Sequence, residues 1–223
     1  MTKVEKMLCN YVLDTGDSNE VFYHNGDFHV ERHHVSSLLE GVVTKNIVDI
    51  WALILNQKDL GCGFASPKRF FCSATACAFF PVIHHGCYIV LCFNFKYSKV
   101  DVIDQRILTS KINEIYGGYL SILASFLSEF LKERKDPRAN LVANFEPRVI
   151  RMIWKSNELD VVDSITMGHM ETYMGHGNSW DTILKKPNDH ILKTLRAKYC
   201  YDILKNEHNM VKEDVLKKAK LAN

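Results

Sequence analysis

The stretch from Phe79 to Phe95 is the feature that most limits what this chain can fold into. It is the longest apolar run in 223 residues, yet Pro81, His84, His85, Gly86 and Asn94 interrupt it. A membrane span needs about 20 consecutive apolar residues. The run therefore reads as buried β-strands, and no membrane association is expected. With 47% hydrophobic and 24% charged residues, the chain has enough apolar material for a packed core, which excludes intrinsic disorder, a collagen-like fibre and a disulfide mini-scaffold.

The elements around that run set the architecture. Ala78 to Ile83, Cys87 to Phe95 and Val100 to Asp104 have strand character, as does Arg69 to Cys72, and the turn at Lys96–Lys99 makes 87–95 and 100–104 a hairpin. Upstream, Val35, Leu38, Leu39, Val42 and Val43 recur at helical spacing, and a second helix over 44–56 is apolar on nearly every side. Residues 57–69 read as a loop. A long helix is predicted over 111–135, with Gly117-Gly118 as its weak point. Residues 141–154 carry strand propensity, and further helices are predicted over 165–174 and 187–206. Helices, a small sheet, then helices again predict an α+β fold, a small central mixed sheet flanked by helices. One domain is expected over 28–209, after a polar lead-in (1–27) with one short strand and before a basic tail (210–223).

Charge and cysteine usage narrow the function. Lys+Arg 28 against Asp+Glu 26 leaves a net charge of +2, too balanced to argue for nucleic acid. The basic clusters at 132–138 and 217–220 lack interleaved aromatic residues and read as solvated helix ends, so no nucleic-acid partner is expected. Cys9, Cys62, Cys72, Cys77, Cys87, Cys92 and Cys200 form no C-x-x-C pair, and the N-terminus offers no unbroken apolar segment of the secretory kind. These are expected to be reduced thiols of an intracellular protein, in nucleus or cytoplasm. His29 and His33 are four residues apart with His34 beside them, but no Glu stands at H-E-x-x-H spacing and no third ligand is evident. No metal and no cofactor are expected.

The order of motifs carries a resemblance. His29 to Trp51, through Glu40-Gly41 to Leu55-Asn56, resembles the N-terminal helices of the ubiquitin-like-protein-specific (SUMO-type) cysteine proteases. Phe80-Pro81-Val82-Ile83, Cys87-Tyr88 to Leu91, and Val100 to Asp104 are similar to that family's central hairpin. Thr166 to Gly175 resembles the helix directly after its Asp-Cys-Gly nucleophile motif. Leu195-Arg196, Lys198-Tyr199 and Ile203-Leu204 are similar to the tail of its divergent plant and transposon-associated branch. The resemblance implies a cysteine-protease fold and a thiol isopeptidase that cuts after Gly-Gly, with a SUMO-type ubiquitin-like modifier or its conjugates as partner. The family reaction needs a thiolate at a helix N-terminus, an imidazole to carry the proton and an acid to orient it.

By that resemblance Asp104 stands at the acid position, and Tyr88 at the aromatic that covers the substrate's Gly-Gly tail. Cys87 occupies the position of the catalytic His, Val162 that of the nucleophile, with Val161 and Asp163 beside it. Val43 stands where the family has the Trp of its Gly-Gly clamp. No cysteine occurs between Cys92 and Cys200, so the nucleophile is missing whatever the alignment. The oxyanion-hole Gln is absent from Trp154–Glu158. A shifted register brings Asp163-Ser164 onto the Asp-Cys step, but a serine hydroxyl needs a placed base. His85 lies two residues before Cys87, about 6–7 Å along a strand, beyond the contact of about 2.6–3.2 Å that a general base requires. Cys87 served by His84 or His85 would be a new site in an old fold. The reading is a protease-type domain with impaired catalysis, or a non-catalytic module that binds a ubiquitin-like modifier or another protein.

Overall fold

A computed structural model describes residues 1–26, 28–61, 69–70, 77–180 and 186–222. The chain forms two compact units, Met1–Ile54 with Lys186–Asn223, and Leu55–Lys185. Cys62 and Cys72, much of the predicted loop, and the end of the first predicted strand lie outside the described residues.

The first unit joins the two ends of the sequence. α1 (Lys3–Leu13) starts at a capping box in which Thr2 accepts from the Glu5 N–H and the Glu5 carboxylate accepts from the Thr2 N–H. The lead-in thus opens with a helix that the sequence reading did not include, and Leu8, Cys9, Tyr11 and Val12 bury its inner face. β1 (Val21–Asn25) and β2 (Phe28–Glu31) pair antiparallel. α2 (Arg32–Glu40) follows and ends at Gly41 with φ 109°, a left-handed cap that glycine adopts without strain. α3 (Lys45–Gly61) outruns its predicted end, and Trp51 on it is fully buried 4.9 Å from the Tyr199 ring. Tyr199 belongs to α6 (Asp189–Leu204), and the basic tail forms α7 (Lys212–Leu221). Asn209 ties the tail to β1: its Nδ2 donates to Phe22 O at 3.0 Å and its Oδ1 accepts from His24 N–H at 3.1 Å. Arg32, buried among Tyr11 and Phe22, pairs with Glu20 at 2.6 Å.

The second unit holds a five-stranded mixed sheet of order β3-β4-β5-β6-β7: β3 (Arg69–Phe70), β4 (Cys77–His84), β5 (Cys87–Asn94), β6 (Lys99–Ile103) and β7 (Glu146–Val149). The central pairs are antiparallel and both edge pairs parallel. β4 turns into β5 through His85 (φ 50°) and Gly86 (φ 75°), two left-handed residues that close a two-residue hairpin and set His84 opposite Cys87. Every residue of β5 is buried, as its apolar sequence requires of a central strand. Alternation then assigns faces. Ile89, Leu91 and Phe93 pack with Ala78, Phe80, Val100 and Val102 against Tyr116, Leu127 and Leu131 of α4 (Ile112–Glu133). The opposite face meets α5 (Leu159–Thr172), where Thr166 Oγ1 donates to Tyr88 O at 2.9 Å and the Tyr173 ring lies 6.2 Å from Phe79.

The weak point in α4 holds, and two predicted boundaries in this unit need correction. α4 is unbroken at Gly117-Gly118; two helical glycines cost about 1 kcal/mol each, and the buried face of Tyr116, Leu127 and Leu131 outweighs them. The strand predicted over 141–154 shrinks to β7, preceded by 3₁₀ turns at Pro137–Asn140 and Val142–Asn144. α5 begins six residues before its predicted start, because full burial of Val161 through Met170 overrides the strand preference of Val161-Val162. Among the described residues no helix is long and apolar enough to cross a membrane.

Candidate functional site

The end of the β4–β5 hairpin, the end of β6 and the first turn of α5 border a cavity of ≈ 380 Å³ whose walls include His84, His85, Cys87, Arg106, Ile115 and Asn157. Asp104 follows β6 on the same pleat as Val102 and so lies on the α4 side of the sheet. Its carboxylate is 1% exposed and fully engaged. Arg106 donates to it through Nε (3.0 Å) and Nη2 (2.7 Å), the Arg106 backbone N–H at 2.8 Å, and the Tyr116 hydroxyl donates from α4. Burial alone would push this carboxyl up; the Arg106 and Tyr116 hydrogen bonds outweigh it and hold Asp104 below the ordinary carboxylate range. Burial likewise raises the Tyr116 hydroxyl, and Asp104 raises it further. Arg106 Nη1 donates to His84 O at 2.7 Å, which clamps the guanidinium between the hairpin and the end of β6.

Cys87 is 2% exposed at the start of β5, and its thiol is pushed above its ordinary range by burial, which the nearby Arg106 charge only partly opposes. The His84 imidazole, 4.2 Å from His85 and 5.6 Å from Tyr116 between centroids, is pushed below its ordinary value by burial and by the charge on His85 and Arg106. Both shifts run against the thiolate–imidazolium pair that cysteine hydrolysis uses.

On α5, Val162 is fully buried, and its N–H donates to Glu158 O inside the first turn. The next residue supplies the polar contact to the sheet: Asp163 Oδ1 accepts from the Tyr88 N–H at 2.8 Å. Burial raises Asp163 to about 6, with the Tyr88 hydrogen bond opposing. Ser164 is turned back, its Oγ donating to Asp160 O at 2.9 Å. The Gln105 side chain donates to Trp154 O and its backbone carbonyl accepts from Ser156 N–H at 3.0 Å, so it braces the segment that leads into α5. Val43 is 5% exposed in the segment between α2 and α3 of the first unit, part of that unit's core.

The structure thus gathers Cys87, Asp104 and the Asp163 carboxylate around one end of the sheet, with the Tyr88 backbone tied to α5. Sequence reasoning missed Arg106 and Tyr116. An Arg two residues after a strand-ending Asp is the one local signal that could have pointed to the ion pair; Tyr116 is non-local and left none. No family model matches the chain, and no curated protein matches it. Solved structures do. One is the C-terminal Ulp1 protease domain in complex with Smt3, the yeast ortholog of SUMO: TM-score 0.64, 7% identity, 94% of this chain and 97% of that one. Another is the SUMO protease Ulp1 with its catalytic cysteine oxidised to a sulfinic acid, at TM-score 0.62, 8% identity, and 97% and 96% coverage. At such identity the likeness speaks for architecture: this α+β chain has the fold of the Ulp1 protease domain.

Proposed function

We propose that this chain is a ubiquitin-like-protease-type domain that has lost hydrolysis and binds a SUMO-type modifier, or its conjugates, without cutting it. The observation that carries the reading is the state of Asp104. A catalytic acid must accept from an imidazole. Here the carboxylate is taken up by Arg106 and Tyr116, and among the described residues no imidazole bonds to it. A Cys87 thiol pushed up by burial and an aliphatic Val162 support the same conclusion. Modifier binding is supported by the shared fold, since one structure with that fold was solved with Smt3 bound. The motifs at Thr166–Gly175 and Leu195–Tyr199 favour the plant and transposon-associated branch, and the free buried Cys9, Cys77, Cys87, Cys92 and Cys200 favour a nuclear or cytoplasmic location.

The test has two arms. Calorimetric titration with a free SUMO-type modifier is expected to show binding that Tyr88→Ala weakens, with circular dichroism confirming that the variant folds. A vinyl-sulfone derivative of the modifier is expected to give no covalent adduct by mass spectrometry. Absence of binding to SUMO and ubiquitin alike sinks the modifier assignment. An adduct that disappears in Cys87→Ala sinks the loss of catalysis.

A further inference from the structure

The junction of β2 and α2 brings together residues that the sequence left unconnected. Glu31 is the last residue of β2 and the N-cap of α2, with extended backbone (φ −94°, ψ 166°), which carries its side chain over the first turn where His33 and His34 project. One donor atom from each of Glu31, His33 and His34 lies within 4.8 Å of the others. His33 Nδ1 stands 3.3 Å from Glu31 Oε2, and the two imidazole rings lie 3.9 Å apart. On the preceding strand His29 adds a further imidazole, its Nε2 3.8 Å from Glu31 Oε1. Glu31 is thus the third ligand that H-x-x-x-H-H spacing alone did not offer.

We propose that Glu31, His33 and His34, with His29 as a fourth donor, form a binding site for a borderline divalent transition-metal ion such as Zn²⁺. Metal–donor lengths of about 2.0–2.1 Å in a tetrahedral site set donors about 3.3 Å apart, the spacing already present between Glu31 and His33. His34 on the same turn and His29 on the adjoining strand close onto an ion by side-chain movement, which their partial exposure permits. Imidazoles select Zn²⁺, Ni²⁺, Cu²⁺ or Co²⁺ over Mg²⁺ and Ca²⁺, which prefer oxygen-only shells. The Glu31 carboxylate offsets the positive end of α2, which would otherwise repel a cation. Ligation replaces two local contacts, the Glu31 N–H to His34 Nδ1 bond at 3.3 Å and the His33 Nδ1 contact to Ser18 O at 3.1 Å. The ion would pin β2 to α2, a structural clip independent of the cavity at Asp104.

The experiment uses the full chain, freed of metal with a chelator, titrated with ZnCl₂ by calorimetry. Saturation at one equivalent is expected, with affinity reduced at least about tenfold by His33→Ala/His34→Ala and by Glu31→Gln, and unchanged by His190→Ala outside the cluster. Because the double substitution could loosen the helix start, Co²⁺ is added to the unaltered chain in parallel. Intense tetrahedral visible bands that Zn²⁺ abolishes are expected. No saturable Zn²⁺ binding, binding that survives both His33→Ala/His34→Ala and Glu31→Gln, or octahedral Co²⁺ bands alone would overturn the site.

Discussion

Asp104 and Arg106 meet edge to edge, Nε at 3.0 Å from Oδ1 and Nη2 at 2.7 Å from Oδ2, with the carboxylate out of solvent and the guanidinium nearly so. Removing the guanidinium leaves a buried carboxylate with no opposite charge, only the Tyr116 hydroxyl and a backbone N–H. Arg106→Ala is expected to lose about 3 kcal/mol in urea unfolding, and Asp104→Asn in the same chain should restore part of it. The pH dependence fixes the sign. Asp104 titrates below its ordinary value in the folded chain, so its stabilisation is complete above the unfolded carboxyl range and lost as pH falls through the folded value. Without the Arg106 side chain, burial is opposed only by the Tyr116 hydroxyl and the backbone N–H of residue 106, so the carboxyl should titrate higher than in the unaltered chain and the variant's loss should be smaller after mild acidification. A variant whose loss is the same at pH 4.5 and pH 7.5 would show that the guanidinium is packing and not charge compensation.

Asp163 behaves in the opposite sense. Burial raises it from the ordinary 3.8 to about 6. Folding therefore pays for an ionised buried carboxylate at neutral pH, and that cost disappears as pH falls from about 6 to about 4. The difference corresponds to about 2–3 kcal/mol. Asp163→Asn keeps an oxygen to accept from the Tyr88 N–H and carries no charge. It should be more stable than the unaltered chain at pH 7.5 by about that amount, and indistinguishable from it near pH 4. Unfolding free energies at four pH values decide it; parallel curves refute it.

A third buried carboxylate organises the α5 side of the sheet. Asp101 is fully buried, accepts from Tyr173 Oη at 2.5 Å, from Arg148 Nε at 2.8 Å and from Asn94 Nδ2 at 2.8 Å, and so links α5, β7 and β5 through β6. Tyr173→Phe removes one donor and leaves the shape intact. It should cost about 1.5–3 kcal/mol, the value of a hydrogen bond to a charged group. If chemical denaturation finds less than half a kilocalorie, the carboxylate has found another donor and the network is looser than it looks.

What the sequence disclosed and what it withheld divide by range. The hairpin of 87–95 with 100–104 was legible, because an unbroken apolar strand, a polar turn and an alternating strand are local facts, and the pairing of Leu91 with Val102 agrees. The long helix over 111–135 was legible for the same reason, and so was the α+β class. The N-terminal helix was missed although Thr2 and Glu5 spell its capping box, since polar residues around it resemble a tail until Leu8 and Val12 are seen to be buried. At the candidate site, motif order pointed to Asp104 and Cys87, which lie near one another at one end of the sheet. The occupation of Asp104 was not legible, because Tyr116 reaches it from a helix twelve residues away, and a guanidinium's direction is decided by the His84 carbonyl that receives it.

That occupation bears on the proposed loss of hydrolysis. Placing an imidazole and a thiol with Cys87→His and Val162→Cys supplies two of the three groups the reaction needs, but the acid would still face Arg106. An imidazole at position 87 would then meet a neutralised carboxylate and a nearby positive charge, which lowers its basicity. The double variant is therefore expected to form no adduct with a vinyl-sulfone modifier probe, whereas adding Arg106→Leu should release Asp104 and allow slow labelling of the thiol introduced by Val162→Cys. Asp163 Oδ1 accepts from the Tyr88 N–H of the sheet, so Asp163→Cys in place of Val162→Cys tests the neighbouring register on the same background. Labelling by the double variant as fast as by the triple would show that the guanidinium does not restrain the acid. Labelling in neither register, with both proteins folded, would mean that the end of this sheet no longer admits a reacting carbonyl.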